Sequence, residues 1–193
     1  MKNYLDRLAL WLLTIIALLP ALCLQAAAQP VPTRAVQARN GAAAVAWLQA
    51  RLGIREATGR NDGPAVAELI RCGGGEPTQR PAYCGFTQAC DQRAHALPIP
   101  GGGMQGAARA WFPARRRVGL DSVKVGHLAG FDYGNGTIHH VARVVAFGRP
   151  IRRGRPPRLI YTIAGNEGTG TNAGVHLTGY AAGSIAAFAN WLY

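Results

Sequence analysis

A cysteine at a helix start and a histidine entering a strand are the residues of this chain best suited to chemistry, and that chemistry is covalent hydrolysis. Cys84 stands in the run PAYCGFTQAC, where Pro81 precedes a predicted helix whose first turn holds the thiol. The thiolate is the reactive form, and a helix N-terminus beside an imidazolium lowers the pKa of the thiol that supplies it. The imidazole must come from elsewhere in the chain, near in space and remote in sequence. His140, which opens the predicted strand HVARVV, can present its ring to a helix packed across the sheet edge. A third group has to hold that ring in its working tautomer. Asn166 ends the next predicted strand, RLIYTIAGN, and antiparallel neighbours place it beside His140. Order and spacing therefore allow a Cys84–His140–Asn166 assembly.

The other cysteines decide whether that thiol is free. Lys2 and Arg7 precede an apolar run from Leu8 to Leu24, and Ala26-Ala27-Ala28 supplies small residues for signal peptidase. A charged start, an apolar middle and an Ala-x-Ala end describe a secretory signal. Residues 1–28 are therefore read as a cleaved leader, too short in its apolar run for the roughly 20 residues that span a bilayer comfortably. The protein is expected to be secreted or periplasmic and to touch a membrane only through that segment. Export leaves Cys72, Cys84 and Cys90 in an oxidising compartment where disulfides persist. An odd number leaves one thiol over. A Cys72–Cys90 bridge frees Cys84, a Cys72–Cys84 bridge would extinguish the chemistry, and two buried thiols are the remaining arrangement.

Residues 29–40 (QPVPTRAVQARN) carry two prolines and no apolar period, so they read as a linker to a domain over 41–193. Val45, Leu48 and Leu52 have helical spacing, with Gly53 as a stop. Pro64 opens a second helix, AVAELIRC, which ends at the Gly73-Gly74-Gly75 run. Cys84 begins the third, and MQGAARAWF is a short helix ending before Pro113. The second half changes character: VKVGHLAGF, HHVARVVAF and RLIYTIAG are Val- and Ile-rich strand patterns. They are joined by GFDYGNGTI and the basic loop GRPIRRGRPPR, and AAGSIAAFANWLY closes the chain as a helix or strand. Helices followed by strands indicate an α+β domain, N-terminal helices packed on an antiparallel sheet.

Six segments, in this order over about residues 53–178, resemble the CHAP and NlpC group of papain-like cysteine peptidases and amidases. GIREATGRNDGPAVAELI is similar to their leading E-x-x-G-x-N-D-G segment, and PAYCGFTQAC to the one that carries the nucleophile. AARAWF resembles the helix that follows, VKVGHLAGF the G-D-[IV]-x-x-F strand, HHVARVV the strand with the catalytic histidine, and TIAGN the next strand's E-G-N ending. The resemblance implies a papain-like core and peptidoglycan as substrate. The bond cut would lie in a stem peptide or crossbridge, or would be the N-acetylmuramoyl-L-alanine amide. His127 replaces the usual Asp after Gly126, and Ala142 replaces a glycine. Ala164 stands where many relatives carry a carboxylate, leaving Asn166 as the orienting group with Glu167 as substitute.

In the expected reaction Cys84 attacks an amide carbonyl, His140 protonates the leaving amine and then activates water. The Cys84 N–H is one oxyanion donor, with Gln79 or Tyr83 as candidates for the second. The net charge of +12, or +11 without Lys2, Asp6 and Arg7, favours polyanionic partners. Nucleic acid, anionic lipid and acidic wall polymers all fit that charge; no zinc-finger spacing, aromatic-basic RNP string or basic heptad region marks a nucleic-acid binder, and it is the family resemblance that implies peptidoglycan or another wall polymer as partner. His127 and His139 lack the accompanying ligands of a zinc site, and AGNEGTGTNAG lacks the Lys-Ser/Thr of a phosphate loop. No metal or cofactor is expected. The rival from another class is an inactive secreted module that binds such a polymer through its arginines.

Overall fold

A computed structural model describes residues 33–148 and 159–193. The leader, linker residues 29–32 and basic-loop residues 149–158 lie outside the described residues. Helix α1 spans Arg34–Gln49, so residues 34–40 are helical, which corrects the linker reading. The cause is capping and tertiary contact. The Thr33 side chain accepts the Val36 N–H at 3.4 Å, capping the first turn. Asn40 Nδ2 then donates to the Leu192 carbonyl at 2.9 Å, anchoring a turn that has no apolar stripe of its own. Helix α2 covers Pro64–Cys72 and helix α3 covers Cys84–Ala94. MQGAARAWF forms two short 3-10 segments, Met104–Gly106 and Ala108–Trp111.

The second half builds a six-stranded antiparallel sheet: β1 (Arg117–Val118), β2 (Leu128–Asp132), β3 (Ile138–Phe147), β4 (Leu159–Glu167), β5 (Gly174–Ala181) and β6 (Ala187–Ala189). Its order is β1-β6-β2-β3-β4-β5. The chain is thus α+β. The tail resolves as a strand, β6, which pairs with β1 on one side and β2 on the other. GVHLTGYA forms β5, an additional strand whose residues alternate half-buried and exposed from His176 onward, as an edge strand does.

Helix α3 carries both the buried face that fills the core and the contacts that fix it. Its Thr87, Gln88, Asp91 and Gln92 are all fully buried. Asp91 Oδ2 lies 2.6 Å from Arg143 Nη2, an ion pair between α3 and β3 with neither side chain exposed. Arg143 Nη1 donates to the Gly126 carbonyl at 2.6 Å and Nη2 to Gln92 Oε1 at 3.3 Å. Gln92 Nε2 donates in turn to the Pro98 and Trp191 carbonyls, each at 2.9 Å. Cys72 and Cys90 are joined by a disulfide that ties the end of α2 to the middle of α3, with Cα atoms 5.0 Å apart. Cys84 is the free cysteine of the described residues.

Two glycines let the start of α3 sit flush against its neighbours. A Cβ on Gly85 would lie 2.5 Å from the Gln105 carbonyl oxygen and 2.6 Å from that of Gly106. A Cβ on Gly165 of β4 would collide with the Thr87 side chain and with the Tyr83 ring. Removing one partner of a buried ion pair costs about 3–5 kcal/mol, whereas replacing both by apolar groups is often neutral. Arg143→Ala should therefore lose about 3–5 kcal/mol in urea unfolding, and Asp91→Leu with Arg143→Met should recover most of it.

Candidate active site

Cys84 is the first residue of α3 and only 2% exposed. It belongs to a buried cluster with Trp111, Leu128, Val141 and Ala189. Tyr83, the residue before it, makes no side-chain cap bond, so the first-turn N–H groups are not consumed by a capping side chain. The sulfur faces the backbone N–H groups of Gly85 and Val141 as well as the His140 imidazole. Burial alone pushes this thiol up, but His140 and the two N–H groups outweigh it, and the Cys84 pKa falls below the ordinary thiol value.

His140 lies on β3 opposite Phe131 of β2, whose ring centroid is 5.7 Å from the imidazole. It is buried, and its Nε2 is 3.8 Å from Glu167 Oε2. That separation is beyond a hydrogen bond, and catalytic contacts are often this loose before substrate binds. With Nε2 turned to Glu167, Nδ1 is the nitrogen left for the thiol. Burial lowers the His140 pKa, yet Cys84 and Glu167 together raise it to about 9. Glu167 is pushed up by burial and pulled down further by His140, Tyr180 and Thr178, so its carboxylate ends below the usual range. The Tyr180 hydroxyl donates to Glu167 Oε1, and its ring packs 4.4 Å from that of Phe131, centroid to centroid. Cys84, His140 and the half-buried Glu167 thus lie in succession, each shifting the pKa of the next.

The side chain that faces His140 from the end of β4 is that of Glu167, where Asn166 was expected. Ala164 pairs with His176 and Glu167 with Gly174, so three steps along β4 match two along β5. This is a β-bulge, and its extra residue shifts every later side chain to the other face. Asn166 adopts φ +58°, the left-handed conformation that Asn tolerates better than most residues. Glu167 consequently takes the face that an unbroken strand would give Asn166. It also supplies the carboxylate that Ala164 lacks.

Tyr83 and Gln79 are placed differently from expectation. The Tyr83 ring is fully buried, and its hydroxyl faces the Glu56 carboxylate and the Asn166 backbone N–H, away from the role of oxyanion donor. It braces the bulge that aims Glu167. The Glu56–Gly63 segment explains itself the same way. Glu56 Oε2 accepts the Asn61 N–H at 2.8 Å, Asp62 accepts the Thr58 N–H at 2.8 Å, and Asn61 Nδ2 donates to the Arg80 carbonyl at 3.0 Å. The motif builds a loop that holds Tyr83 from behind. Gln79 stands exposed at the end of the 3-10 turn Pro77–Gln79.

Of the other histidines, His139 is exposed, contacts the Asn135 amide at 2.8 Å and stacks on Tyr133 with rings 7° from parallel. His127 is buried at the opposite end of β2's approach, and no group of three or more metal-ligating side chains occurs among the described residues. Tyr180 and Thr178 were missed by sequence reading. Their signal is period two along GVHLTGYA, which puts both on one face once that segment is taken as a strand. Tyr133, 72% exposed on the hairpin beside His139, was missed too, since nothing marks a loop tyrosine in a sequence.

The coupling gives a direct spectroscopic expectation. The His140 imidazole should titrate near 9 by NMR, should fall toward lower pH in Cys84→Ala and in Glu167→Gln, and should move little in Asn166→Ala. An Asn166→Ala shift as large as that of Glu167→Gln would overturn the bulge argument.

Searches of protein-family models, of curated proteins and of solved structures find no match to this chain.

Proposed function

We propose that the chain is a cysteine hydrolase of amide bonds, with Cys84 as nucleophile, His140 as general acid and base, and Glu167 as the group that orients and charges the imidazole. One observation carries this reading: a free cysteine at a helix start is held against an imidazole whose far nitrogen faces a half-buried carboxylate. A buried cysteine with a packing role is inert and has a raised pKa. Here the balance runs the other way, because the positive ring and two N–H groups outweigh burial.

The reaction follows from these positions. Cys84 Sγ attacks the carbonyl carbon, and the developing oxyanion meets the Cys84 N–H at the start of α3. His140 gives its proton to the departing amine, leaving a thioester and a neutral ring. The ring then takes a proton from water as it attacks the thioester, and the sulfur leaves as the thiolate beside the restored imidazolium when the acid product departs. Glu167 stabilises the imidazolium at the start and end of the cycle. The resemblance of six ordered segments to CHAP and NlpC domains supports a papain-like core and peptidoglycan as the substrate, cut as an endopeptidase or as an N-acetylmuramoyl-L-alanine amidase. The Cys72–Cys90 disulfide fits an oxidising, secreted or periplasmic setting, and the basic balance of the sequence fits an anionic wall.

A second reading has one observation in its favour: at 2% exposure, Cys84 is covered in this conformation. An inactive secreted module that binds an anionic wall polymer would tolerate a covered thiol. Digestion of purified peptidoglycan separates the two. Wild type should release fragments and Cys84→Ala should release none while still folding. Loss of the Glu167 carboxylate in Glu167→Gln should lower kcat by about 10²–10⁴-fold, the scale of general acid–base assistance. The kcat/KM profile should rise with pH as the thiolate forms and fall again near 9 as the imidazolium is lost. Binding without digestion by wild type would favour the inactive module.

A further inference from the structure

Away from Cys84, a cavity of about 310 Å³ opens between the first turns of α1 and the segment leading into β2. Its polar lining is Arg34, Lys124, His127 and the neutral Gln37, and none of its lining residues is acidic. Among the described residues neither Arg34 nor Lys124 has an ion-pair partner. Arg34 is also the first residue of a 16-residue helix whose first turn holds no acidic side chain. A helix N-terminus already carries partial positive charge and favours an anion there. Among the described residues the local field is therefore uncompensated from two directions.

His127 is the independent observation. Its side chain is only 3% exposed, yet it lines the cavity. The Lys124 N–H donates to His127 Nδ1 at 3.2 Å, which fixes the tautomer and leaves the proton on Nε2. Burial, with Lys124 and Arg143 nearby, holds its pKa down at about 4, so the ring is a neutral donor at ordinary pH. The rest of the lining is aliphatic: Ala42, Val125 and Leu192 stand beside the basic groups. The volume exceeds what a bare inorganic ion fills and reaches the lower end of organic ligand sites.

We propose that this cavity binds a small organic carboxylate, its acid group held by Arg34, Lys124 and His127 Nε2–H and its aliphatic part lying on Ala42, Val125 and Leu192. The binding is independent of the hydrolase reading, because none of these residues belongs to the Cys84 site.

The test is a titration of the full chain with hexanoate, followed through the His127 imidazole resonances. A saturable shift is expected, with hexanol giving none. Arg34→Ala with Lys124→Ala, both exposed positions, should weaken binding about tenfold, or about 1.4 kcal/mol, while Lys124→Arg retains it. An equal response to hexanol, or unchanged affinity in the double alanine variant, would overturn the proposal. So would inorganic phosphate binding more tightly than hexanoate.

Discussion

A guanidinium and a carboxylate, both wholly buried and 2.6 Å apart, join the helix that begins with Cys84 to the strand that holds His140. Asp91 lies seven residues, two helical turns, beyond Cys84, and Arg143 lies three beyond His140. The bridge thereby links the two elements that carry Cys84 and His140. Burial pushes Asp91 up and Arg143 down in pKa, so desolvation outweighs mutual attraction on both sides. Such a pair adds little net stability. Its value here is specificity: a slip of α3 along the sheet would strand two charges in the core. The disulfide at Cys90, one residue before Asp91, restrains the same turn covalently.

On that frame the site is made by close approach and by one irregularity. Gly85 and Gly165 allow the first turn of α3 to lie against the Gln105–Gly106 carbonyls on one side and β4 on the other. The bulge at Asn166 then turns Glu167 toward His140, and Tyr83 holds the bulge from the helix side. Tyr180 and Thr178 supply hydrogen bonds that keep Glu167 charged, and a charged Glu167 keeps His140 protonated. The low thiol pKa is thus the last link in a chain that starts in β5. The links run from half-buried residues on β5 and β4 to the buried His140 and Cys84, where the lower dielectric makes such contacts stronger than in water.

The α+β class, α2, the start of α3 and the main strands were legible because their signals are local: Pro64, the glycine run after Cys72, and Val- and Ile-rich segments. The Cys84–His140 meeting was legible as order and spacing. What was not legible depends on contacts between distant parts. The first turns of α1 are helical because Thr33 caps them and Leu192 accepts from Asn40, neither of which an apolar period reports. Asn166 is the sequence's candidate because antiparallel neighbours place the end of β4 beside His140. One residue in the left-handed region exchanges its face with that of Glu167. Tyr83 looked like a site residue by adjacency to Cys84, and burial made it a brace. Arg143 drew no notice, because a lone arginine in an apolar strand declares its meaning only when Asp91 is seen opposite.

The account turns on whether the Cys84 thiol is ionised by its neighbours. The most direct measurement is the pH dependence of Cys84 alkylation by iodoacetamide in the intact chain, compared with His140→Ala. The account predicts a thiolate that forms below the ordinary thiol range in wild type and a shift to higher pH when the imidazole is removed. Identical titrations in the two proteins, or a Cys84 that reacts only where an isolated cysteine would, would contradict it.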